Sequence, residues 1–381
     1  MDSLAKLGGE LRAAVASGRV PGVVAVAGDR NGTFFEAAHG VLSVGGDVPM
    51  TTDTVVWIAS MTKAITSVAV MQLIEQGRLT LDQNAADFIP ALANAPILDG
   101  FEANGAPRVR PGTKPITIRH LLTHTSGYGY AFLSPELARC AEHGQIPMDR
   151  YLELPRLFEA GERWQYGVGI DFAGQVVEAI SGKGLDAYLQ EAVFDVLGMA
   201  DTTFAPSPTQ LMRKAAMHAR LPDGSLVPTE FGLPPPPNPM LGGGGLYSTA
   251  PDYLAFLDAL LGGGASARGR ILKPESMAFV TDNHVGDIAC GAMVSSNPGF
   301  SNDHEPMPGV PKRWSLGFLT NLEPGPDGRG AGSLAWAGLS NCYYWLDPKA
   351  GVAGVILMQL LPFADERALK TFSAFERAVY S

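Results

Sequence analysis

Two residues with a spacing suited to nucleophilic catalysis, Ser60 and Lys63, lie in the segment Ser60-Met61-Thr62-Lys63. A serine hydroxyl is a weak nucleophile until a neighbouring base takes its proton. Residues three positions apart share one face of a helix, so the Lys63 amine reaches the Ser60 hydroxyl if a helix begins there. Burial and the positive end of the helix dipole both lower the pKa of a lysine, so more of it is unprotonated at neutral pH and able to accept the serine proton. The pair therefore predicts nucleophilic catalysis by Ser60.

The residues around this pair predict a strand followed by a buried helix. A short apolar strand, 55–58, leads into Ser60, and apolar residues recur at helical spacing from Met61 to Glu75 until Gly77 ends the helix. A helix that is apolar on nearly all sides is buried. The same Ser-x-x-Lys pattern occurs at Ser3, but no strand precedes it, and we interpret that copy as the start of a surface helix.

Composition excludes several classes of function. A length of 381 residues suggests roughly two domains, or one with a large insertion, and 46% hydrophobic residues with 17% charged residues are typical of globular proteins. A net charge of −10 without a Lys/Arg run argues against nucleic acid or an anionic membrane as partner. No secretory signal is visible, and no apolar run approaches the ~20 residues of a membrane helix. We therefore predict a cytoplasmic protein.

Cysteine and histidine patterns predict no metal site. Cys140, Cys290 and Cys342 are widely spaced and odd in number, without a Cys-x-x-Cys pair, so we expect free, buried thiols in a reducing compartment. His120 and His124 are four residues apart, which is also a metal-binding spacing, but no third ligand accompanies them. Buried, hydrogen-bonded structural histidines are the expected state.

The order of predicted elements indicates an α/β (α+β) fold with an antiparallel sheet. The chain begins with a helix and a hairpin and ends with a series of strands and a closing helix: helix 3–17, strands 22–28, 33–38, 314–319, 332–336, 341–346 and 352–359, and helix 365–380. We predict one discontinuous α/β domain, residues 1–80 and 241–381, and a mostly helical domain, residues 81–240. The proline-rich segment Leu233–Pro239 is the predicted boundary.

Three further motifs follow, two in the predicted helical domain and one at the start of the second α/β segment. Residues 116–127 predict a compact helix that ends at Gly127. Tyr166 lies between a tryptophan and two glycines, just before a helix that Asp171 is predicted to cap. The glycine run 242–245 lacks the Gly-Lys-Ser/Thr of a phosphate-binding loop. Close backbone approach beside Ser60 is the better explanation for these glycines.

The order of these motifs resembles that of the serine β-lactamase and penicillin-binding-protein superfamily. The resemblance rests on 60–63, the segment Leu121-Leu122-Thr123-His124-Thr125-Ser126-Gly127, Tyr166 and 242–245, and it spans nearly the whole chain. It implies a β-lactamase-like fold in which N- and C-terminal helices flank the antiparallel sheet and a mostly helical domain is inserted. It also implies catalysis without a metal or other cofactor.

Two departures distinguish branches of that superfamily. Class C β-lactamases carry Tyr-x-Asn, whereas Val168 stands in the place of the asparagine here. They also carry Lys-Thr-Gly on the strand beside the serine, where this sequence has Trp336-Ala337-Gly338. Loss of the amide and of the lysine favours an uncharged ester over a carboxylated amide. In these features the sequence resembles the family VIII carboxylesterases.

This resemblance implies a role for each motif. Ser60 becomes the nucleophile that accepts the acyl group, Lys63 assists its deprotonation, and Tyr166 is the general base or proton shuttle, positioned by Lys63. The oxyanion hole consists of the backbone N–H groups of Ser60 and Leu339. Residues around the substrate are implied by the same motifs: Trp336, Ala337, Gly338 and Val168.

The implied reaction is hydrolysis of short-chain acyl esters, small molecules, through an acyl-enzyme on Ser60. The alternatives on the same fold are a β-lactamase or D-alanyl peptidase, and an acyltransferase that passes the acyl group to an alcohol. A different class is a catalytically silent protein that binds an acylated ligand. The sequence leaves the oligomeric state open.

Overall fold

A computed structural model describes residues 2–232 and 240–381, so the predicted boundary segment Leu233–Pro239 lies outside the described residues. Strands, in chain order, are β1 (Gly22–Asp29), β2 (Gly32–Gly40), β3 (Val56–Trp57), β4 (Pro96–Phe101), β5 (Pro107–Pro111), β6 (Met217–Arg220), β7 (Leu226–Thr229), β8 (Tyr247–Ser248), β9 (Ala265–Ser266), β10 (Gly269–Arg270), β11 (Lys312–Trp314), β12 (Leu319–Asn321), β13 (Leu334–Gly338), β14 (Cys342–Asp347), β15 (Val352–Leu357) and β16 (Leu360–Leu361).

The helices, in the same order, are α1 (Asp2–Ala16), α2 (Thr62–Glu75), α3 (Ile118–Leu122), α4 (Pro135–Gly144), α5 (Gly169–Ser181), α6 (Leu185–Leu189), α7 (Asp195–Leu197), α8 (Pro208–Leu211), α9 (Ala250–Leu261), α10 (Pro274–Thr281) and α11 (Glu366–Val379). Short 3₁₀ turns and one π-helical turn, Gln190–Phe194, complete the helical structure of the described residues. None of these helices has the length and apolar character that crossing a bilayer requires.

The main sheet has, within the described residues, seven antiparallel strands in the order β11-β12-β13-β14-β15-β1-β2. The predicted N-terminal hairpin is present, and β1 pairs with β15, which joins the hairpin to the C-terminal meander in one sheet. The single strand predicted over 314–319 is wrong. Gly317 adopts a φ of +92° and lies in a turn between β11 and β12, where the Ser315 N–H donates to the Phe318 carbonyl.

Helices cover both faces of this sheet. On β14, Trp345 contacts Phe372 and Phe375 of α11, whereas the adjacent Tyr344 contacts Tyr253 of α9. Neighbouring residues of a strand point to opposite faces, so α11 and α9 lie on opposite sides of the sheet. The predicted flanking of the sheet by terminal helices is confirmed, since α1 packs against α11.

Helix α2 is buried along almost its whole length, from Thr62 to Leu73, as its all-round apolar pattern predicted. It contacts α5 and α6 from the central part of the chain, while the Tyr253 hydroxyl of α9 donates to the Met61 carbonyl at 2.9 Å. Helix α2 therefore lies between segments from both predicted domains. The proposed division at residues 80 and 240 stays a prediction.

Two predicted helix features differ from the structure. The helix expected over 116–127 is limited to α3, because Thr117 caps its start and His124 takes a left-handed φ of +55° soon after its end. Asp171 does not cap α5. It lies inside the first turn of that helix, where its buried carboxylate faces another part of the chain.

Candidate active site

Ser60 lies in a 3₁₀ turn, Ala59–Met61, directly before α2. Ala59 adopts a φ of +45°, a left-handed conformation that costs free energy in a residue other than glycine. The turn is fixed by the Thr62 hydroxyl, which donates to the Ala59 carbonyl at 2.6 Å and accepts from the Leu246 N–H at 3.1 Å. Backbone strain of this kind occurs most often at functional sites.

The Lys63 amine reaches the Ser60 hydroxyl, as the spacing predicted. Its Nζ atom lies 3.1 Å from Ser60 Oγ, 3.0 Å from the Tyr130 hydroxyl and 2.6 Å from the carbonyl oxygen of Gly243. The Lys63 side chain is fully buried, and none of the ion pairs found among the described residues includes it. The Tyr130 hydroxyl and the Gly243 carbonyl oxygen therefore hold the amine against the serine.

Tyr166 lies beside Lys63, but its hydroxyl has a different partner. The Trp336 indole N–H donates to the Tyr166 hydroxyl at 2.9 Å, and Lys63 Nζ lies 5.0 Å from the centre of the Tyr166 ring. In the described part of the chain, the tyrosine hydroxyl bonded to Lys63 is that of Tyr130. The structure thus brings the predicted catalytic residues together, and the role of Tyr166 as proton shuttle stays a prediction.

The glycines around Tyr166 permit close packing against the Leu121–Gly127 motif and the residues after it. A β-carbon on Gly167 would lie 2.3 Å from the Tyr128 carbonyl oxygen, and one on Gly169 would lie 2.6 Å from that of Leu121. His124 Nδ1 accepts from the Gly167 N–H at 3.4 Å, and burial holds the pKa of His124 well below its usual value. His124 is therefore a neutral, buried, hydrogen-bonded residue, as expected.

The glycine run contributes a backbone carbonyl to the site. Gly243 accepts from Lys63 through its carbonyl and donates its N–H to Asp171 Oδ1 at 2.9 Å. A β-carbon at Gly243 would lie 2.3 Å from Asp171 Oδ2, so only glycine fits there without displacement. Burial raises the pKa of Asp171, and its Oδ2 atom has no hydrogen-bond partner among the described residues. The predicted close approach of this run to the serine site is confirmed.

The end of β13 runs beside the serine turn. A β-carbon on Gly338 would lie 2.3 Å from the Ile58 carbonyl oxygen, and the Ser340 hydroxyl donates to the Trp57 carbonyl at 2.9 Å. Leu339, between them, packs against the apolar cluster that includes Trp57 and Ala59. This position suits the predicted oxyanion hole, although the roles of the Leu339 and Ser60 N–H groups stay predictions.

The side chains predicted to line the substrate site lie in different surroundings. Trp336 lies in the aromatic cluster of the site, 4.5 Å from Trp314 between ring centres. Val168 is fully buried. Ala337 pairs with Tyr343, whose ring stacks on Phe372 of α11 at 4.7 Å, so its methyl group lies on the α11 face of the sheet. The contact of Ala337 with a substrate stays a prediction.

Tyr130 and the Asp171–Gly243 contact were not found from the sequence. Tyr130 follows the Leu121–Gly127 motif by three residues, which is the signal that points to it. Its partner Lys63 is 67 positions away, and no local pattern reports so distant a hydrogen bond. Asp171 was assigned to a helix cap because its position before an apolar helix matches that role.

Comparison with known proteins identifies the family to which the chain belongs. The family model described as Beta-lactamase matches residues 9–378. The chain therefore belongs to the beta-lactamase family of serine hydrolases and acyltransferases, and its fold is the β-lactamase-like α/β fold.

Three similar proteins illustrate the range of that family. Monacolin J acid methylbutanoyltransferase of Aspergillus terreus is 32% identical, over 97% of this chain and 94% of that protein. Lovastatin esterase of Penicillium rubens is 31% identical, over 97% of this chain and 96% of that protein. The structure of simvastatin synthase from Aspergillus terreus, in its LovD6 mutant form, superposes with a TM-score of 0.85 at 31% identity, covering 100% of this chain and 97% of that one.

Proposed function

We propose that this protein is a serine carboxylesterase of the family VIII type that hydrolyses short-chain acyl esters through an acyl-enzyme on Ser60. The observation that carries the proposal is the buried Lys63 amine held 3.1 Å from Ser60 Oγ. Trp336 occupies the place of the β-lactamase lysine, and Val168 that of the asparagine. The site thus lacks the cation and the amide that would bind a carboxylated amide substrate.

The reaction follows from the contacts of Ser60. Its hydroxyl attacks the ester carbonyl carbon while its proton passes to the Lys63–tyrosine pair. The negative charge on the carbonyl oxygen is stabilised by the N–H groups of Ser60 and Leu339, each worth ~2.7–4 kcal/mol in comparable sites. The intermediate then breaks its bond to the alcohol oxygen, which takes a proton and leaves. Water attacks the acyl-serine and releases the acid.

Acyl transfer to an alcohol is the second candidate, and two of the similar proteins support it. The curated relative at 32% identity is named a methylbutanoyltransferase, and the superposed structure is a simvastatin synthase. The two reactions share every step up to the acyl-serine and differ only in whether water or an alcohol attacks it. A lovastatin esterase at 31% identity supports hydrolysis on the same fold.

Hydrolysis of p-nitrophenyl butyrate by the wild type and by Ser60→Ala tests the proposal. We expect the wild type to release nitrophenol and to carry a butyryl group on Ser60, detected by mass spectrometry. We expect Ser60→Ala to lose nearly all turnover, because no other nucleophile lies within hydrogen-bond reach of Lys63 in the described residues except Tyr130. Activity that survives in Ser60→Ala would contradict the assignment of the nucleophile.

Product analysis with an added alcohol separates the two candidates. If free butyric acid remains the main product when the alcohol is in excess, the protein is an esterase. If butyrate ester of the added alcohol dominates, it is a transferase. A cytoplasmic location and the absence of nucleic acid or membrane partners remain predictions from composition.

A further inference from the structure

The two N–H groups of the predicted oxyanion hole come from different parts of the chain. The Ser60 N–H follows β3, and the Leu339 N–H follows β13. Within the described residues neither group donates a hydrogen bond to the protein, so both are available to a substrate oxygen. Two such donors stabilise an oxyanion only if each lies about 2.7–3.1 Å from it. The spacing of the two segments therefore has to be held by other groups.

A buried glutamine and a buried serine hold the strand that leads to Ser60. The Gln359 side-chain oxygen accepts from the Trp57 N–H at 3.2 Å, and its side-chain nitrogen donates to the Trp57 carbonyl at 3.1 Å. The Ser340 hydroxyl donates to the same carbonyl at 2.9 Å. Trp57 is the last residue of β3, whose other edge pairs with β8. Gln359 thus takes the place of a neighbouring strand along the remaining edge of β3.

The same glutamine is connected to the segment that carries Leu339. The N–H of the next residue, Leu360, donates to the Ser340 carbonyl at 3.1 Å, and Asn341 Nδ2 donates to the Leu360 carbonyl at 2.8 Å. Gln359, Ser340 and Asn341 are at most 3% exposed. A buried network whose polar groups are paired is rigid. The segment before Ser60 and the segment after Leu339 are therefore joined through one buried network.

We propose that Gln359 and Ser340 are positioning residues for the oxyanion hole, which hold the Ser60 and Leu339 N–H groups at the spacing that the tetrahedral intermediate requires; the proposal rests on the proposed function of Ser60. A displacement of about 1 Å at a reacting centre costs up to about 10²-fold in rate. Neither side chain is bonded to the Lys63 amine. Their effect is on the charge of the oxyanion and not on proton transfer.

Substitution of the two side chains tests this role. Gln359→Met nearly keeps the side-chain volume and removes both bonds to Trp57, and we expect kcat/KM for p-nitrophenyl butyrate to fall about 10- to 100-fold. Ser340→Ala leaves the Gln359 bond to the same carbonyl and is expected to cost less, about 3- to 10-fold. The matched control is Gln72→Met, which removes two hydrogen bonds of another buried glutamine near the far end of α2 and is expected to stay within about twofold.

A trifluoromethyl ketone reports on the oxyanion hole itself. Ser60 Oγ forms a bond to the carbonyl carbon of 1,1,1-trifluoroheptan-2-one, the π electrons of the carbonyl move to its oxygen, and the serine proton passes to the Lys63–tyrosine pair. The adduct therefore resembles the intermediate. We expect its inhibition constant to rise in Gln359→Met by about the factor by which kcat/KM falls. The inhibition constant of heptan-2-one, which keeps its carbonyl, is expected to change by less than about twofold.

Gln359→Glu provides a readout that a purely structural role would not move. A protonated carboxyl group donates and accepts as the carboxamide does, whereas a carboxylate only accepts, so only the protonated form bonds to both backbone groups of Trp57. The titratable groups in contact with Gln359 in the described residues are His218 and Cys342. Burial lowers the pKa of His218 and raises the pKa of Cys342 to about 11, so both stay neutral. The ratio of kcat/KM in the variant to that in the wild type should fall as the pH rises from about 6 to about 9, because a buried carboxyl group has a raised pKa.

Counting active sites by the burst of nitrophenol restricts every rate to folded enzyme, so a loss of stability alone would leave the rates per site unchanged. That result in Gln359→Met, or a pH-independent ratio in Gln359→Glu, would overturn the proposal. So would an equal loss of affinity for both ketones. If Gln359→Met does not fold, the pH series and Ser340→Ala decide. Absence of butyryl-Ser60 in the wild type would instead refute the proposed function.

Discussion

Two tyrosine side chains lie beside Lys63, and the different partners of their hydroxyls give them different expected roles. Burial raises the pKa of Tyr130 well above its usual value, so Tyr130 stays protonated at neutral pH and is a poor base. Its hydroxyl accepts from Lys63 and so positions the amine. The Tyr166 hydroxyl accepts from Trp336 instead and is the remaining candidate for proton transfer.

Phenylalanine substitutions separate these roles. We expect Tyr166→Phe to lower kcat/KM for p-nitrophenyl butyrate by about 10²- to 10⁴-fold, the usual contribution of a general acid–base group. Tyr130→Phe removes one hydrogen bond to Lys63 and leaves a buried polar group without that partner, at a cost of ~1–3 kcal/mol, and we expect a loss of about 10- to 100-fold. Tyr128→Phe serves as control, because Tyr128 is a buried tyrosine whose ring packs against Phe172. Full activity in Tyr166→Phe would remove this tyrosine from the mechanism.

Asp171 is a buried carboxylate whose presence reduces stability at neutral pH. Because burial raises its folded-state pKa above the unfolded value, the folded protein binds this proton more tightly than the unfolded chain. The resulting stabilisation is complete below the unfolded pKa and is lost as the pH rises through the folded pKa. A residue that lowers stability is expected to be retained for its function. The Asp171 carboxylate fixes the backbone of Gly243 and places a negative charge near Lys63.

We therefore expect Asp171→Asn to unfold at higher urea concentration than the wild type at pH 7, with the difference shrinking as the pH approaches 4. The same variant should lose activity by about 10- to 100-fold, because a small displacement of a reacting group has effects of this size. Urea unfolding at both pH values and kcat/KM for p-nitrophenyl butyrate provide the measurements. A variant that is less stable at pH 7 would show that the carboxylate stabilises the fold.

At the scale of elements, α11 is attached to the segment between β12 and β13 by a buried ion pair. Glu376 of α11 accepts from Arg329 through both carboxylate oxygens, one at 2.6 Å, and each side chain is only 4% exposed. Arg329 also lies over the rings of Trp345 and Phe372. Removing one partner of a buried pair leaves the other charge uncompensated.

Glu376→Ala is expected to lower the free energy of unfolding by ~3–5 kcal/mol, the usual cost of breaking a buried pair. The matched control is Glu366→Ala on the same helix, whose partner is Lys370 and whose side chain is 80% exposed. An exposed pair of this kind is worth at most ~1 kcal/mol. Urea unfolding at pH 7 measures both. Equal stabilities of the two variants would contradict a structural role for the buried pair.

At the scale of the whole molecule, the sequence predicted those features that depend on residues close together in the chain. The three-residue spacing of Ser60 and Lys63 sets their contact within one helical turn. Alternation and turns give the hairpin β1–β2 and the meander from β13 to β15, and amphipathic spacing gives α11. The family resemblance was confirmed at the level of fold and superfamily.

The features that the sequence did not predict depend on distant contacts. Whether Lys63 bonds to Tyr130 or to Tyr166 depends on how the segment after Leu121–Gly127 passes over α2, which no local pattern describes. The side of the sheet that Ala337 faces was set by its pairing with Tyr343. The end of α3 was misplaced because Gly127 is a strong stop signal, whereas the chain turns earlier, at His124.

Contacts of α2 join the two predicted domains into one structure. The Gln72 side-chain amide donates to the Ala192 carbonyl at 3.0 Å, in the predicted helical domain, and to the Ile271 carbonyl at 2.9 Å, in the predicted α/β domain. Lys63 makes a similar connection, since it bonds to Tyr130 and to Gly243. Neither part buries α2 by itself.

The molecule is therefore expected to unfold in one transition, although chains of this length often unfold in steps. Urea titrations followed by esterase activity, tryptophan fluorescence and far-UV circular dichroism should share one midpoint. Gln72→Ala removes both bridging hydrogen bonds, worth ~0.5–1.5 kcal/mol each, and should shift all three midpoints together. Loss of activity at a lower urea concentration than loss of circular dichroism would mean that the helical part separates from the sheet while each remains folded, and α2 would then belong to one domain alone.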